Sequence, residues 1–131
     1  MEINLPEVKA EVEAAFARYE TALMANDVDT LQALFWNSPL TVRYGIGEIL
    51  HGWEEIGAFR SGRSPAGLAR VISRTVITTF GRDCATASTL FHRDSLPGRV
   101  GRQQQTWARF AEGWRIVAAH VSVIEEPARA P

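Results

Sequence analysis

Leu40-Thr41-Val42-Arg43-Tyr44-Gly45 is where this chain stops reading as helix and starts reading as strand. The alternation of Thr, Val and Tyr suits a half-buried strand. Arg43 is the anomaly. A strand that opens an apolar core should carry a guanidinium only if that group has a task or a route to water. Two readings are open from the strand alone. Arg43 points into a cavity and holds a small anion, or it lies on the solvent face of an edge strand.

Upstream, the spacing is helical. Pro6 suits a first helical turn, Glu7 suits the positive end of the helix dipole, and Val8, Val12, Ala15, Phe16, Tyr19 and Leu23 form one stripe to about Ala25. Asn26-Asp27 breaks that stripe, and Asp27 or Asp29 can cap a second helix from Val28 to Phe35. Asn37-Ser38-Pro39 ends it. Downstream, Gly45-Ile46-Gly47 predicts a turn and Glu48 to Gly52 a short returning strand. Trp53 to Arg60 is a third helix, with Trp53, Ile56, Phe59 and Arg60 along one side, and residues 61–67 are a loop. Alternation then predicts strands over 69–80, 84–93, 100–110 and 114–124, joined by glycine-containing turns. Helices followed by long strands mean α+β: a cone-shaped α+β barrel, a curved antiparallel sheet packed on about three N-terminal helices. Such a layer pair leaves a conical hollow where a small-molecule site is expected.

The 131 residues suffice for one domain, expected over 1–126 with 127–131 as a flexible tail. A formal net charge of −1 gives no electrostatic attraction to nucleic acid or an anionic membrane. No apolar window approaches a membrane span, and the N-terminus lacks the basic start and apolar run of a secretory signal. Cys84 is the only cysteine, which fits a reducing, cytoplasmic setting. It has no recognisable base partner and reads as inert packing. His51 has no second ligand at useful spacing, so neither a metal nor another cofactor is expected.

The order of elements resembles the nuclear transport factor 2-like, SnoaL-like superfamily. Asn26-Asp27-Val28-Asp29-Thr30-Leu31 is similar to its usual helix break and Gly113 to Ser122 to its usual last strand. A narrower resemblance is to the AtzH-like (HpxZ-like) family, which includes proteins of oxalurate catabolism. It is carried by Arg18-Tyr19-Glu20, Thr41-Val42-Arg43-Tyr44-Gly45, Phe59-Arg60-Ser61-Gly62-Arg63, Gly101 to Trp107, and Ala119-His120-Val121-Ser122. The resemblance implies a cytoplasmic bacterial protein working beside an amidase on urea-derived nitrogen compounds. The implied reaction converts 1,3-dicarboxyurea to allophanate, with Tyr19 and Arg43 as the functional pair.

The residues themselves can be weighed for that chemistry. Arg43 offers a planar fork that matches a carboxylate, and Tyr19 a phenol that can deliver a proton. Their bland alternatives are a snorkelling arginine and a stripe tyrosine bonded to backbone. Arg60 and Arg63 could form the cavity mouth and attract a dianion, or be a solvated helix end. His120, with Ser122 on the face of Ile116 and Ala118, is expected either to line the pocket or to be a satisfied core histidine. Trp107, Trp53 and Trp36 read as walls, any of which could contact ligand, and Trp107 is expected among the substrate-binding residues. Gln103 and Gln105, sharing a face with Trp107, could hydrogen-bond an amide ligand or lie outward. A ketosteroid-isomerase-like proton shuttle is disfavoured, because that chemistry needs a carboxylate in the cone and the strands offer only Glu48, Glu112 and Glu125 near turns or ends. The remaining rival is a non-catalytic binding or accessory protein for an amidase. A homodimer or higher even oligomer is expected through the sheet's outer face, with Val117, Ala119, Val121 and Val123 on it.

Overall fold

The structure, a computed structural model, describes residues 1–127. Residues 128–131 of the expected tail lie outside them. Helix α1 spans Pro6–Met24, α2 Val28–Leu34, and α3 Trp53–Gly62. The strands are β1 Val42–Tyr44, β2 Ile49–His51, β3 Val71–Phe80, β4 Cys84–His92, β5 Arg99–Phe110 and β6 Gly113–Glu125. They form one six-stranded sheet in the order β2-β1-β6-β5-β4-β3.

Local chemistry accounts for the helices. Proline at the start of α1 sacrifices no helical bond, and the stripe Val8, Val12, Phe16, Tyr19, Ala22 and Leu23 is buried. Asn26 takes a left-handed φ of 49°, which asparagine tolerates, and so releases the chain from α1. Asp27 then caps α2, accepting from the Thr30 backbone N–H at 3.2 Å and from its hydroxyl at 2.6 Å. In α3 the inward positions are Ile56 and Arg60, four residues apart and both fully buried.

The sheet is mixed rather than antiparallel throughout. β1 runs parallel to β6, Arg43 opposite Ala119, whereas β3 to β6 and the β1–β2 hairpin are antiparallel. Hairpin neighbours announce themselves by their turns, but this pairing joins residues 76 apart, and no turn signals it. A second departure lies in β6. Thr106 pairs with Ala118 and Trp107 with Ile116, so Val117 is a bulged extra residue. The bulge swaps faces. Trp114 and Ile116 point inward before it, and Ala119 and Val121 after it, while Ala118 and His120 are exposed on the outside. Ala119 and Val121 are therefore not on the outer face that an oligomer was expected to use. Cys84 is also corrected: it is exposed at the start of β4, because the register turns Ala85 inward.

Candidate functional site

The inward register of β1 buries Arg43, leaving it 6% exposed. Its Nη1 donates to Glu48 Oε1 at 3.1 Å. The turn after β1 makes that possible. A Cβ at Gly45 would overlap the Glu48 carboxylate, and the Gly47 backbone N–H donates to Glu48 Oε2 at 3.0 Å. Helix α3 delivers Arg60, whose Nη2 donates to the Tyr19 hydroxyl at 3.3 Å. The Arg60 guanidinium lies over the Phe35 ring at 5.2 Å, and its Nε and Nη1 have no hydrogen-bond partner among the described residues.

Further arginines complete the cluster. Arg63, at the end of α3, lies over Phe59 at 5.4 Å, and Arg43 lies over the same ring at 5.3 Å. Arg70, just before β3, makes a two-bonded ion pair with Glu20 of α1 and donates to Gln103 Oε1 at 2.9 Å. It lies over Phe91 at 4.6 Å, and Arg93 lies over that ring at 4.9 Å. Gly101 sits opposite Phe91 in the sheet, and a Cβ there would overlap the ring. Nε and Nη2 of Arg63, Nε of Arg93 and Nε2 of Gln103 are buried donors without partners among the described residues.

Such a concentration of like charge shifts its members. Burial pushes the Tyr19 phenol up, but Arg60, Arg43 and Arg70, with the hydrogen bond from Arg60, outweigh it and hold the group below the ordinary tyrosine value. Burial, then Arg60 and Arg43, pull Arg63 down to about 10. Burial and then Arg70 lower Arg93 as well. Both remain cationic at neutral pH.

The structure thus brings Tyr19, Arg43, Arg60 and Arg63 together. Gln105 and Trp107 are buried on the same side of the sheet, bonded to each other at 3.1 Å. His120 and Ser122 are not with them. The Val117 bulge turns both to the opposite face, where they line a hollow of about 670 Å³ with Arg74, Arg102 and Gln104. Polar groups there pair with one another or face water: Gln104 donates to Ser88 at 3.2 Å and Arg102 to Ser122 at 3.1 Å, and Arg74 and His120 are exposed. Buried donors still lacking acceptors mark the interior cluster as the better candidate. Trp36 stacks on Phe110, and Trp53 exchanges hydrogen bonds with Gln32, so both brace helices. Among the described residues no group of three His, Cys, Asp or Glu could hold a metal ion.

Sequence reasoning missed Arg70 and Arg93. Arg93 was within reach of it, because Ala85, Ala87, Thr89 and Phe91 alternate inward along β4 and Arg93 continues that register. Arg70 precedes its strand and carried no such signal.

The sequence model of the AtzH-like family matches residues 1–127. The chain belongs to the AtzH-like family. Among solved structures, this AtzH-like protein is similar to a protein of unknown function from Pectobacterium atrosepticum, at 56% identity over 94% of this chain and 95% of the other, with a TM-score of 0.91. A cystatin-like fold protein from Burkholderia xenovorans matches at 54% identity over 97% and 99% of the two chains, with a TM-score of 0.93. A nuclear transport factor 2-like superfamily protein from Salmonella enterica matches at 26% identity over 95% and 94%, with a TM-score of 0.70. No curated protein matches the chain.

Proposed function

We propose that the interior cluster binds a small urea-derived dicarboxylate of the 1,3-dicarboxyurea type and removes one carboxyl group as carbon dioxide, leaving allophanate. The observation that carries this reading is the excess of buried and half-buried guanidinium over carboxylate around a phenol of lowered pKa. Arg43, Arg60, Arg63, Arg70 and Arg93 converge there, and Glu48 and Glu20 are the carboxylates bonded to them. Interiors do not accumulate unmatched charge without a reason, and an anionic substrate supplies one.

The chemistry needs orientation and a proton. A carbamate loses carbon dioxide once its nitrogen gains a proton. The carbon–nitrogen bond then breaks with its electron pair staying on nitrogen. Arg43 orients a carboxylate through its planar fork. Tyr19 gives its phenolic proton to the nitrogen, and the Arg60 hydrogen bond steadies the phenolate left behind. A proton from water restores the phenol. One proton consumed per dianion balances the conversion to the allophanate monoanion and carbon dioxide.

The test is turnover of freshly generated 1,3-dicarboxyurea by wild type, Arg43→Lys and Tyr19→Phe, following carbon dioxide and allophanate. Lysine keeps the charge but loses the fork, so Arg43→Lys should lower kcat/KM by about 10- to 100-fold, the worth of one charge-assisted bond. Unchanged turnover in that variant would remove Arg43 from the clamp role. Saturable binding by wild type without any product would move the chain to a binding or accessory role beside an amidase.

A further inference from the structure

The arginines fall into two matching units. In one, Arg43 and Arg63 both lie over the Phe59 ring, at 5.3 and 5.4 Å. In the other, Arg70 and Arg93 both lie over the Phe91 ring, at 4.6 and 4.9 Å. Each unit has one arginine matched by a carboxylate, Arg43 by Glu48 and Arg70 by Glu20. Each also has one with no ion pair among the described residues and with buried donors left over: Nε and Nη2 of Arg63, and Nε of Arg93. Between them, Arg60 is bonded to Tyr19, a group that can itself become anionic.

We infer that the site contains two separate carboxylate subsites, Arg63 beside the Arg43 fork on the Phe59 platform and Arg93 on the Phe91 platform, and that this pair selects a two-ended dianion over a monoanion. The charge count supports it. With Arg43 and Arg70 neutralised, three positive charges remain: Arg60, hydrogen-bonded to the Tyr19 phenol, and one without a partner on each platform. A ring face fixes the plane of each guanidinium, so its N–H edge is presented in a set direction rather than searched for. A monoanion would satisfy one platform and leave the other guanidinium half-buried and unmatched, which is where discrimination arises. Arg63 and Arg93 are only half-buried, so they can meet a ligand that enters from outside.

This assignment rests on reading the cluster as a carboxylate site, and its test needs no turnover. Glutarate has the same three-atom bridge between carboxylates as 1,3-dicarboxyurea, and butyrate is its one-ended counterpart. Binding of each would be titrated calorimetrically to wild type, Arg63→Gln, Arg93→Gln and Arg93→Lys, with thermal melts to establish that each variant folds. Wild type should bind glutarate at least about tenfold more tightly than butyrate, as expected for one extra charge-assisted contact. Each glutamine variant should bring that preference down to about twofold or less, and Arg93→Lys should recover part of it. A wild type that binds both ligands equally, or a glutamine variant that keeps the full preference, would overturn the two-subsite assignment. A protein that shows the preference yet never converts 1,3-dicarboxyurea would keep this assignment and lose only the proposed reaction.

Discussion

Tyr19 is held by opposing effects of known sign, which makes it the most direct reporter on the cluster. Burial alone would raise its pKa; the neighbouring arginines and the Arg60 hydrogen bond lower it by more. The chain contains only one other tyrosine, Tyr44, so a Tyr44→Phe background leaves Tyr19 as the single phenol absorbing near 295 nm when ionised. Its midpoint should lie below the ordinary value of about 10. Arg60→Met should move it upward, because burial stays and the largest lowering influence goes. A midpoint that does not respond would mean the two groups are not coupled. For an acid with lowered pKa the protonated donor exists below the midpoint, so turnover should fall as pH rises through it, and Tyr19→Phe should lack that limb. Tyr19 and Arg60 were legible in the sequence, since helical spacing places them on the stripes of Phe16 and Ile56. Arg70 was not. Whether a guanidinium just outside a strand goes in or out is decided by distant partners, here Glu20 and Gln103, and not by any local period.

Among the strands, β4 and β5 supply the sheet side of the site through Phe91, Gln103, Gln105 and Trp107, and one residue of β6 keeps His120 and Ser122 out of it. Strand alternation predicts faces correctly until a residue is inserted without a partner. The strands and their hairpins were therefore readable, as was the face that Gln105 shares with Trp107; that this face is the inward one was not, and His120 and Ser122, beyond Val117, lie on the other. Nothing in Arg115-Ile116-Val117-Ala118 distinguishes the bulged residue chemically; it shows only in the pairing with β5. Gly101 on β5 gives a test at this scale. It has no left-handed φ to protect, so its role is space: it lets the Phe91 ring lie across the strand beneath Arg70 and Arg93. Gly101→Ala should destabilise the protein by about 1–3 kcal/mol through overpacking. The double variant Gly101→Ala, Phe91→Leu should recover part of that in denaturant melts, because the clash is with the ring. A Gly101→Ala protein as stable as wild type would mean the ring moves aside freely.

The molecule as a whole is close to neutral, with a formal net charge of −1, yet it gathers an excess of positive charge at its interior while the remainder is acidic. That distribution is expensive. Arg60 bears the cost most plainly, being fully buried, hydrogen-bonded through Nη2 alone, and surrounded by Arg43, Arg63 and Arg70. Its contacts with the Phe35 and Tyr19 rings return only part of the lost hydration. A methionine would fill most of the same volume without the charge, ending where the guanidinium begins. Arg60→Met should therefore be more stable than wild type in ligand-free thermal melts, by about 1–4 kcal/mol, the range seen when buried ionic groups give way to packed apolar ones. Wild type should gain stability from glutarate, about 2.7 kcal/mol at a hundredfold excess over Kd, as mass action requires. The variant should gain far less, because the field that attracts the dianion is weaker and the phenol has lost its donor. Stability would then rise as binding falls, the signature of a site whose strain serves its ligand. If Arg60→Met instead melts below wild type, Arg60 is a net structural residue, held by its two rings, and the positive charge around Tyr19 needs no ligand to explain it.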